Sequence, residues 1–254
     1  MIVAPFVDTH CHLDAYFRPF EPAAEAARAE VEIIAVTNLP SHRQRLQARL
    51  PFAPHVSFAL GAHPVEAAKM HEGEWRIFQS KVTTADHIGE VGLDFSPAAD
   101  RAAQERVFAK VLSMLRDRPR LITVHSRRAV RPVLKHLADA QLTGAVLHWF
   151  SGSRVELDAV LSAGHLLSIN TAMIASAKGT DILRFLPRER VLAESDGPYA
   201  RHRGKPASPS DVRAVYAAVA RLWSADIRDV RAQLARNLEA VRTGVVVSTP
   251  CLFP

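Results

Sequence analysis

Cysteine is scarce in this chain of 254 residues, where it occurs only as Cys11 and Cys251. Two cysteines do not make the disulfide framework of a small secreted domain, so the sequence favours the reducing cytoplasm. Long hydrophobic runs are also missing. None approaches the length of a membrane helix, so we expect no membrane partner. The first residues, MIVAPFVDTH, lack the basic start and the cleavage site of a secretory signal peptide.

The charge balance is modestly basic. Lysine and arginine together number 32, aspartate and glutamate 26, which gives a net charge of +6 with neutral histidine. This surplus favours polyanionic partners through phosphate contacts, although a charge that only keeps the protein in solution would give the same total. Hydrophobic residues make up 48% of the chain, which is enough for a sizeable core. We expect residues 1–254 to form a single domain.

Short apolar runs that end in polar residues recur along the chain. Eight of them are candidate strands: residues 6–12, 32–38, 56–64, 87–94, 121–127, 143–150, 165–172 and 191–198. Stretches with helical spacing, such as SRVELDAVLSAG, lie between them. Near-continuous apolar strands that alternate with helices indicate a parallel sheet buried on both faces. Eight such units predict an α/β fold of the (β/α)8 TIM-barrel type, since the alternative, an open doubly wound sheet, needs fewer strands.

Two histidines stand two residues apart in the first candidate strand, FVDTHCHLD. Because side chains alternate along a strand, His10 and His12 point the same way, and in a barrel they can face the interior near the catalytic rim. Cys11 has the opposite parity and should face the helices. Asp8 lies on the face of His10, and we expect it to be a buried acceptor that orients a ligand histidine.

Four later strands end in further side chains of the same kind. They are Glu90, His125, His148 and Asp196. In a barrel these four residues and the histidine pair converge on one mouth, and such a set can hold two divalent metal ions with a bridging carboxylate. A lone histidine is more often a core or loop residue. Six ligand-type residues at strand ends, in barrel order, predict a metal site.

Six short motifs together resemble those of the TatD family of metal-dependent deoxyribonucleases. In chain order they are THCHLD, GAHP, GEVGLD, VHSR, HWFSG and ESDGPY. The resemblance runs from about Phe6 to Asn237, and it implies the amidohydrolase-like barrel fold. The amino-acid sequence of the segments HWFSG, SINTAM and ESDGPY is most similar to that of the TatD-like nuclease of the Qat anti-phage system. That narrower resemblance implies a role in anti-phage defence and partner proteins from such a system.

The family resemblance implies a role for each of the six residues at the mouth. One metal ion would be held by His10, His12, Glu90 and Asp196, and a second by Glu90, His125 and His148. Glu90 would thus be the bridging carboxylate, and Asp196 would also accept the proton of the attacking water as general base. Histidine-rich ligation suits Zn or Mn better than Mg. Members of the family are regarded as Mg-dependent, so Mg, Mn and Zn all stay open.

The resemblance also implies DNA as the substrate, single-stranded and trimmed from its 3′ end. His63, at the end of the third strand, can hold the scissile phosphate or an extra metal ion, although a structural turn before Pro64 explains it nearly as well. Arg127 shares the parity of His125 and can grip a phosphate with two parallel hydrogen bonds. Arg203 and Lys205 lie in the loop after the eighth strand, where they predict a track for nucleic acid.

Two other functions use the same barrel. One is a metal-dependent amidohydrolase acting on a small substrate, and the other is a non-catalytic scaffold that binds nucleic acid or protein partners. The basic loop near the mouth favours a nuclease over the first, and the complete ligand set argues against the second. The chain departs from the family pattern at residues 204–211, GKPASPSD, where members carry Arg-Asn-Glu-Pro after Gly-Lys. This departure affects the expected substrate contacts but none of the metal ligands.

Overall fold

The eight predicted strands all form in the computed structural model of the chain, which describes residues 3–116 and 118–245. They are β1 (Phe6–Cys11), β2 (Val31–Ala35), β3 (Val56–Phe58), β4 (His87–Gly92), β5 (Leu121–His125), β6 (Val146–His148), β7 (Leu166–Ile169) and β8 (Val191–Ala193). Every residue of β1 and β4 is buried, as expected for a parallel sheet that is covered on both faces. Cys251 and most of the C-terminal segment lie outside the described residues.

The strands pair in chain order and close into a barrel. β1, β2 and β3 are parallel neighbours, as are β4 through β8. A parallel bridge between Leu60 and Ile88 joins the two sets. At the other seam, the Asp196 N–H donates to the His10 carbonyl at 2.9 Å, and the His12 N–H donates to the Gly197 carbonyl at 2.9 Å. These contacts close the ring and confirm the (β/α)8 prediction.

Helices surround the barrel and connect its strands. They are α1 (Phe20–Arg28), α2 (Pro40–Arg49), α3 (Glu72–Val82), α4 (Arg101–Ser113), α5 (Val130–Asp139), α6 (Arg154–Ser162), α7 (Thr171–Ile174), α8 (Ala177–Phe185), α9 (Val212–Trp223) and α10 (Ile227–Thr243). Local sequence sets their starts: α6 begins with a reciprocal capping box between Ser153 and Glu156, which satisfies two otherwise unpaired N–H groups. Within the described ranges, no helix has both the length and the apolar character to cross a lipid bilayer.

The barrel interior is apolar at the amino ends of the strands and polar at their carboxyl ends. One apolar cluster includes residues of several strands and two residues of α10: Val7, Leu121, Val146, Leu166, Leu192, Leu238 and Val241. Two larger clusters fill the layer between the strands and the outer helices. Because helix α10 contributes to the apolar cluster at one end, the polar strand ends at the opposite end remain accessible, and the candidate site lies there.

The loop after β8 forms a small antiparallel hairpin. Its strands are β9 (Arg201–His202) and β10 (Lys205–Pro206). Gly197, where the loop leaves β8, is packed so closely that a Cβ atom there would overlap the Tyr16 hydroxyl and the Ala207 carbonyl. The Tyr16 hydroxyl donates to that carbonyl at 2.5 Å. Glycine at position 197 therefore lets the loop pack against the turn that follows β1.

Candidate metal centre

A cavity of about 630 Å³ opens at the carboxyl ends of the strands, within the range usual for ligand sites. Its wall includes seven of the residues predicted from the sequence: His12, His63, Glu90, His125, Arg127, His148 and Asp196. His10 lies fully buried beneath them. The structure thus brings together all six predicted metal ligands, which come from five different strands or strand ends.

Glu90 stands between two groups of imidazole nitrogens. Its Oε2 atom lies 3.0 Å from His12 Nε2 and 3.4 Å from His10 Nε2. Its Oε1 atom lies 2.6 Å from both His125 Nδ1 and His148 Nε2. One carboxylate therefore presents one oxygen to each group, which is the arrangement expected of a bridging ligand.

Asp196 completes the group that contains the first two histidines. Its Oδ1 atom lies 3.7 Å from the Nε2 atoms of both His10 and His12. This oxygen is buried and has no hydrogen-bond partner among the described residues. Burial raises the pKa of Asp196 to about 7, even though nearby His148 and His12 favour its charged form. An unpaired buried carboxylate oxygen beside two histidines fits a cation ligand.

The charges within the cluster compensate one another. Burial opposes ionisation of Glu90, but the surrounding His148, His63 and His125 outweigh it and hold the Glu90 pKa well below its usual range. For His10, burial and the neighbouring His148 lower the pKa to about 4. An ionised carboxylate and a neutral imidazole are the forms that bind a metal ion.

Three sets of side chains, two of which share His10, have ligand atoms close enough to surround a single ion. They are His10 with His12 and Asp196, His63 with Glu90 and His125, and His10 with His148 and Glu194. All offer imidazole nitrogens and carboxylate oxygens, the donors that divalent transition ions and zinc accept. The chemistry of these side chains therefore fits the predicted divalent metal ions.

Comparison with known proteins agrees with this geometry. A family model described as TatD related DNase matches residues 7–242. The chain belongs to the TatD family. It is 31% identical over 196 residues to the 3′-5′ ssDNA/RNA exonuclease TatD of Edwardsiella piscicida, covering 71% of this chain and 73% of that protein. It is also 26% identical over 239 residues to an uncharacterized metal-dependent hydrolase of Methanocaldococcus jannaschii, covering 91% of this chain and 94% of that protein.

The TatD fold is equally clear from solved structures. The TatD homologue YjjV of Escherichia coli superposes with a TM-score of 0.84 at 24% identity, covering 96% of this chain and 99% of that one. The predictions of an amidohydrolase-like barrel and of a metal-dependent TatD-family hydrolase are therefore confirmed.

A second layer of polar groups supports the imidazoles of this TatD centre. His125 Nε2 lies 3.1 Å from Asp94 Oδ2, and the Asp94 N–H donates to Gln104 Oε1 at 2.8 Å. The contact with His125 gives Asp94 a supporting role. Gln104 is buried and anchors the loop that carries Asp94.

Glu194 is a functional candidate that the sequence analysis missed. It is fully buried, and its Oε1 atom lies 3.7 Å from His148 Nδ1. The same oxygen accepts from the Trp149 N–H at 3.0 Å and from Asn170 Nδ2 at 3.1 Å, while Oε2 accepts from the Ser168 hydroxyl. Glu194 follows the last residue of β8 directly, and its buried carboxylate lies below the cavity on the side of β6 and β7.

Asp8 has a different partner from the one predicted. Its Oδ1 atom accepts from the His10 backbone N–H at 3.2 Å and from the Ser195 N–H at 2.8 Å, and its Oδ2 accepts from the Ser195 hydroxyl at 2.5 Å. The carboxylate is buried as expected, but it holds the β1 backbone and not an imidazole ring. Asp8 therefore fastens β1 to the segment that follows β8. Cys11 packs in the apolar layer outside the strands, as predicted.

The four predicted substrate contacts fall into two groups. His63 and Arg127 line the cavity. His63 also makes the predicted turn, because its Nδ1 atom accepts from the Val65 N–H at 3.2 Å while its Nε2 atom lies 3.3 Å from Glu90 Oε1. Arg203 and Lys205 are exposed in the β9–β10 hairpin and are not part of the cavity wall.

The segment that departs from the TatD sequence pattern, residues 204–211, has anchoring contacts of its own. The Ser208 N–H donates to Asp211 Oδ2 at 2.9 Å, and the Ser210 hydroxyl donates to Glu25 Oε1 at 2.6 Å. The first bond lies within the segment, and the second attaches the segment to α1.

Proposed function

We propose that this TatD-family hydrolase cleaves phosphodiester bonds of single-stranded DNA, removing nucleotides from the 3′ end. The observation that carries the proposal is the Glu90 carboxylate, whose two oxygens face two separate groups of imidazoles. The relative from Edwardsiella piscicida, a 3′-5′ exonuclease of ssDNA and RNA by name, supports the substrate and the polarity. The cavity wall adds Arg127, a cation suited to phosphate.

The proposed ligands divide between two divalent ions, for which Mg, Mn and Zn are the candidates. His10, His12, Glu90 and Asp196 would hold one ion, and Glu90, His125 and His148 the other. When bound, such a pair of ions lowers the pKa of water and neutralises charge on the phosphate oxygens. The separate directions of the two Glu90 oxygens support this division.

The residues around the ions would perform the remaining chemistry. The Asp196 carboxylate, one of the proposed ligands, would also accept the proton of the attacking water. Arg127 binds a phosphate oxygen of the substrate at the cavity wall, and His63 positions the scissile phosphate from the end of the β3 segment. Arg203 and Lys205 contact phosphates farther along the strand, outside the cavity.

We further propose that residues 1–254 act as one hydrolase domain in the cytoplasm and serve anti-phage defence with partner proteins. Support for the single domain is the family match over residues 7–242. Support for the cytoplasm is the scarcity of cysteine. Support for the defence role is the resemblance of the segments HWFSG, SINTAM and ESDGPY to the TatD-like nuclease of the Qat system. Plaque counts on cells with the native chain and with Glu90→Gln test it, and equal counts would refute it.

A cleavage assay tests the nuclease assignment. Purified protein is incubated with 3′- and 5′-labelled single-stranded DNA and Mn or Mg, beside Glu90→Gln and Asp196→Asn. We expect the rate of DNA cleavage to fall in both variants by more than about 10–100-fold. A loss of that size is typical when only a residue that supports a metal ligand is removed. Glu239→Gln, a change of an exposed glutamate on α10, is the matched control and should keep native activity.

Elemental analysis complements this assay. We expect up to two divalent ions per reconstituted native chain and fewer in Glu90→Gln, because this side chain faces both groups of ligands. The absence of metal-dependent DNA cleavage, or native rates in both active-site variants, would overturn the nuclease assignment. Less than one bound ion per reconstituted chain would overturn the two-ion assignment.

A further inference from the structure

The two sides of the cavity wall carry different kinds of side chain. On the side of β5 and β6 it carries Arg127, Ser126 and Ser151, and Lys178 donates to the Ser151 carbonyl at 2.6 Å. Among the described residues of the wall, Arg127 is the only arginine or lysine. The opposite side, from the end of β8 round to β3, carries Tyr199 and Val65 above the metal centre.

Tyr199 is a large aromatic side chain left exposed at this mouth. Its side chain is 56% exposed, and its ring meets the His12 ring edge-on with the centroids 4.9 Å apart. The backbone is fixed by a tight turn, in which the Tyr199 N–H donates to the Asp196 carbonyl at 2.9 Å. The ring is therefore held beside two proposed metal ligands with part of its surface available to a ligand.

Two further groups extend this uncharged side of the wall. Asn38 follows β2, and its carbonyl accepts from the His63 N–H at 2.8 Å. Its side-chain oxygen is buried and has no hydrogen-bond partner in the described part of the chain. Val65 also lines the cavity and is 58% exposed. An aromatic ring, an unpaired amide oxygen and an aliphatic side chain thus surround the same half of the mouth.

We propose that Tyr199, Asn38 and Val65 form a binding subsite for the nucleobase next to the scissile phosphate. Tyr199 offers a stacking surface, which accepts any base, and Val65 offers an apolar contact. Asn38 lines the cavity, and its side-chain amide, which carries both a donor and an acceptor, hydrogen-bonds the edge of the base. Arg127, on the β5–β6 side of the wall, then meets the scissile phosphate next to this base. The inference rests on the proposed nuclease function and assigns the position of one base within it.

Dinucleotide substrates test the subsite. The native protein with Mn is given a deoxydinucleotide with both bases, the two singly abasic versions and the doubly abasic version. We expect kcat/KM to fall about 5–150-fold for one singly abasic version and not for the other. That range corresponds to about 1–3 kcal/mol of base–aromatic stacking, and the loss should appear mainly in KM.

Variants identify the residues responsible. In Tyr199→Ala, kcat/KM for the substrate with both bases should fall by about the same factor. For the abasic version that the native protein cleaves poorly, the substitution should cause no further fall in kcat/KM. Tyr199→Phe, which keeps the ring, should retain native kinetics. In Asn38→Leu, kcat/KM should fall for the substrate with both bases and should change little for that abasic version. Phe52→Ala removes a ring that is 95% exposed elsewhere on the surface and should change nothing.

The outcomes separate the subsite from the nuclease function. Equal kcat/KM for all four dinucleotides, or an equal loss on all of them in Tyr199→Ala, would overturn the subsite while leaving the nuclease function intact. If the native protein cleaved neither these dinucleotides nor longer single-stranded DNA with any divalent metal, the nuclease proposal and the subsite would both fall.

Discussion

Two carboxylates lie behind the imidazole rings of proposed metal ligands. Asp94 lies 3.1 Å from His125 Nε2, and Glu194 lies 3.7 Å from His148 Nδ1. A carboxylate behind a ligand histidine fixes the orientation and tautomer of its ring and raises its basicity. Asp94 is within hydrogen-bond distance of the His125 ring, whereas Glu194 faces the His148 ring as a neighbouring negative charge at 3.7 Å.

Glu194→Gln should therefore weaken metal binding without removing a proposed ligand. We expect the affinity for Mn to fall about 10–100-fold, with activity restored in part at high Mn concentration. Metal titration of the metal-free protein gives the affinity, and unfolding in urea confirms that the variant is folded. Glu239→Gln is the matched control. Native affinity in Glu194→Gln would show that the carboxylate does not support His148.

The six central residues could be predicted because strand alternation and barrel topology determine where strand-end side chains point. His10 and His12 share a face, and parallel strands bring Glu90 and His125 to the same rim. Glu194 could not be singled out, because it lies beyond the end of β8, where strand alternation no longer tells which way a side chain points. The subsite residue Asn38 could not be predicted, since an asparagine at the end of a strand is also typical of an ordinary turn.

Among the elements, helix α10 is tied to the barrel by one buried amide. Asn237 is 3% exposed, and its Nδ2 atom donates to the Arg188 carbonyl at 2.7 Å and to the Val191 carbonyl at 2.8 Å. Val191 is the first residue of β8. This side chain thus links α10 to the start of the last strand, at the end of the barrel that is opposite the metal centre.

Asn237→Ala should lower the free energy of unfolding by about 2–4 kcal/mol, because two buried carbonyls lose their donor and a small cavity forms. Urea denaturation followed by circular dichroism measures the change. Arg236→Ala alters the neighbouring exposed residue and should stay within about 0.5 kcal/mol of the native value. A loss in Asn237→Ala no larger than that of the control would contradict the proposed link.

All eight strands were predicted, but their lengths were overestimated. The run 56–64 contains a strand only over Val56–Phe58, and the run 191–198 only over Val191–Ala193. In both runs the residues just beyond the strand, 59–64 and 194–197, remain buried while the backbone leaves the regular ladder to place His63 and Asp196. Hydrophobic periodicity detects the buried part of a strand, but tertiary contacts decide where the ladder ends.

At the scale of the whole molecule, two buried histidines lie far from the metal centre, at the amino ends of strands. Burial lowers the pKa of His87 to about 4, and the charge of Arg242 adds to the effect. His165 next to β7 has its pKa lowered to about 4 for the same reason, with Arg190 as the nearby charge. Both residues therefore stay neutral in the folded protein at pH values at which the unfolded chain takes up protons.

Stability should accordingly fall as the pH drops from about 6.5 to 4. Above 6.5 both states are neutral at these positions, whereas below it the unfolded state binds protons first and is favoured. Each histidine then lowers the free energy of unfolding by about 2–3 kcal/mol near pH 4. His165→Leu should show a shallower decline of the free energy of unfolding between pH 7 and 5, measured with urea.

Phe52→Leu, a change of an exposed side chain that does not titrate, provides the control for this experiment and should keep the native pH dependence. An unchanged decline in His165→Leu would show that His165 does not contribute to the acid sensitivity.

The seam between the first and last strands has a consequence for biosynthesis. Asp8 binds Ser195 and His10 binds Asp196 through the backbone, so closing the barrel and completing the ligand set are one event. A nascent chain whose residues 191–197 are still inside the ribosome has neither Asp196 nor a closed ring. Such a nascent chain therefore lacks a complete set of proposed ligands while it is still beside its messenger RNA.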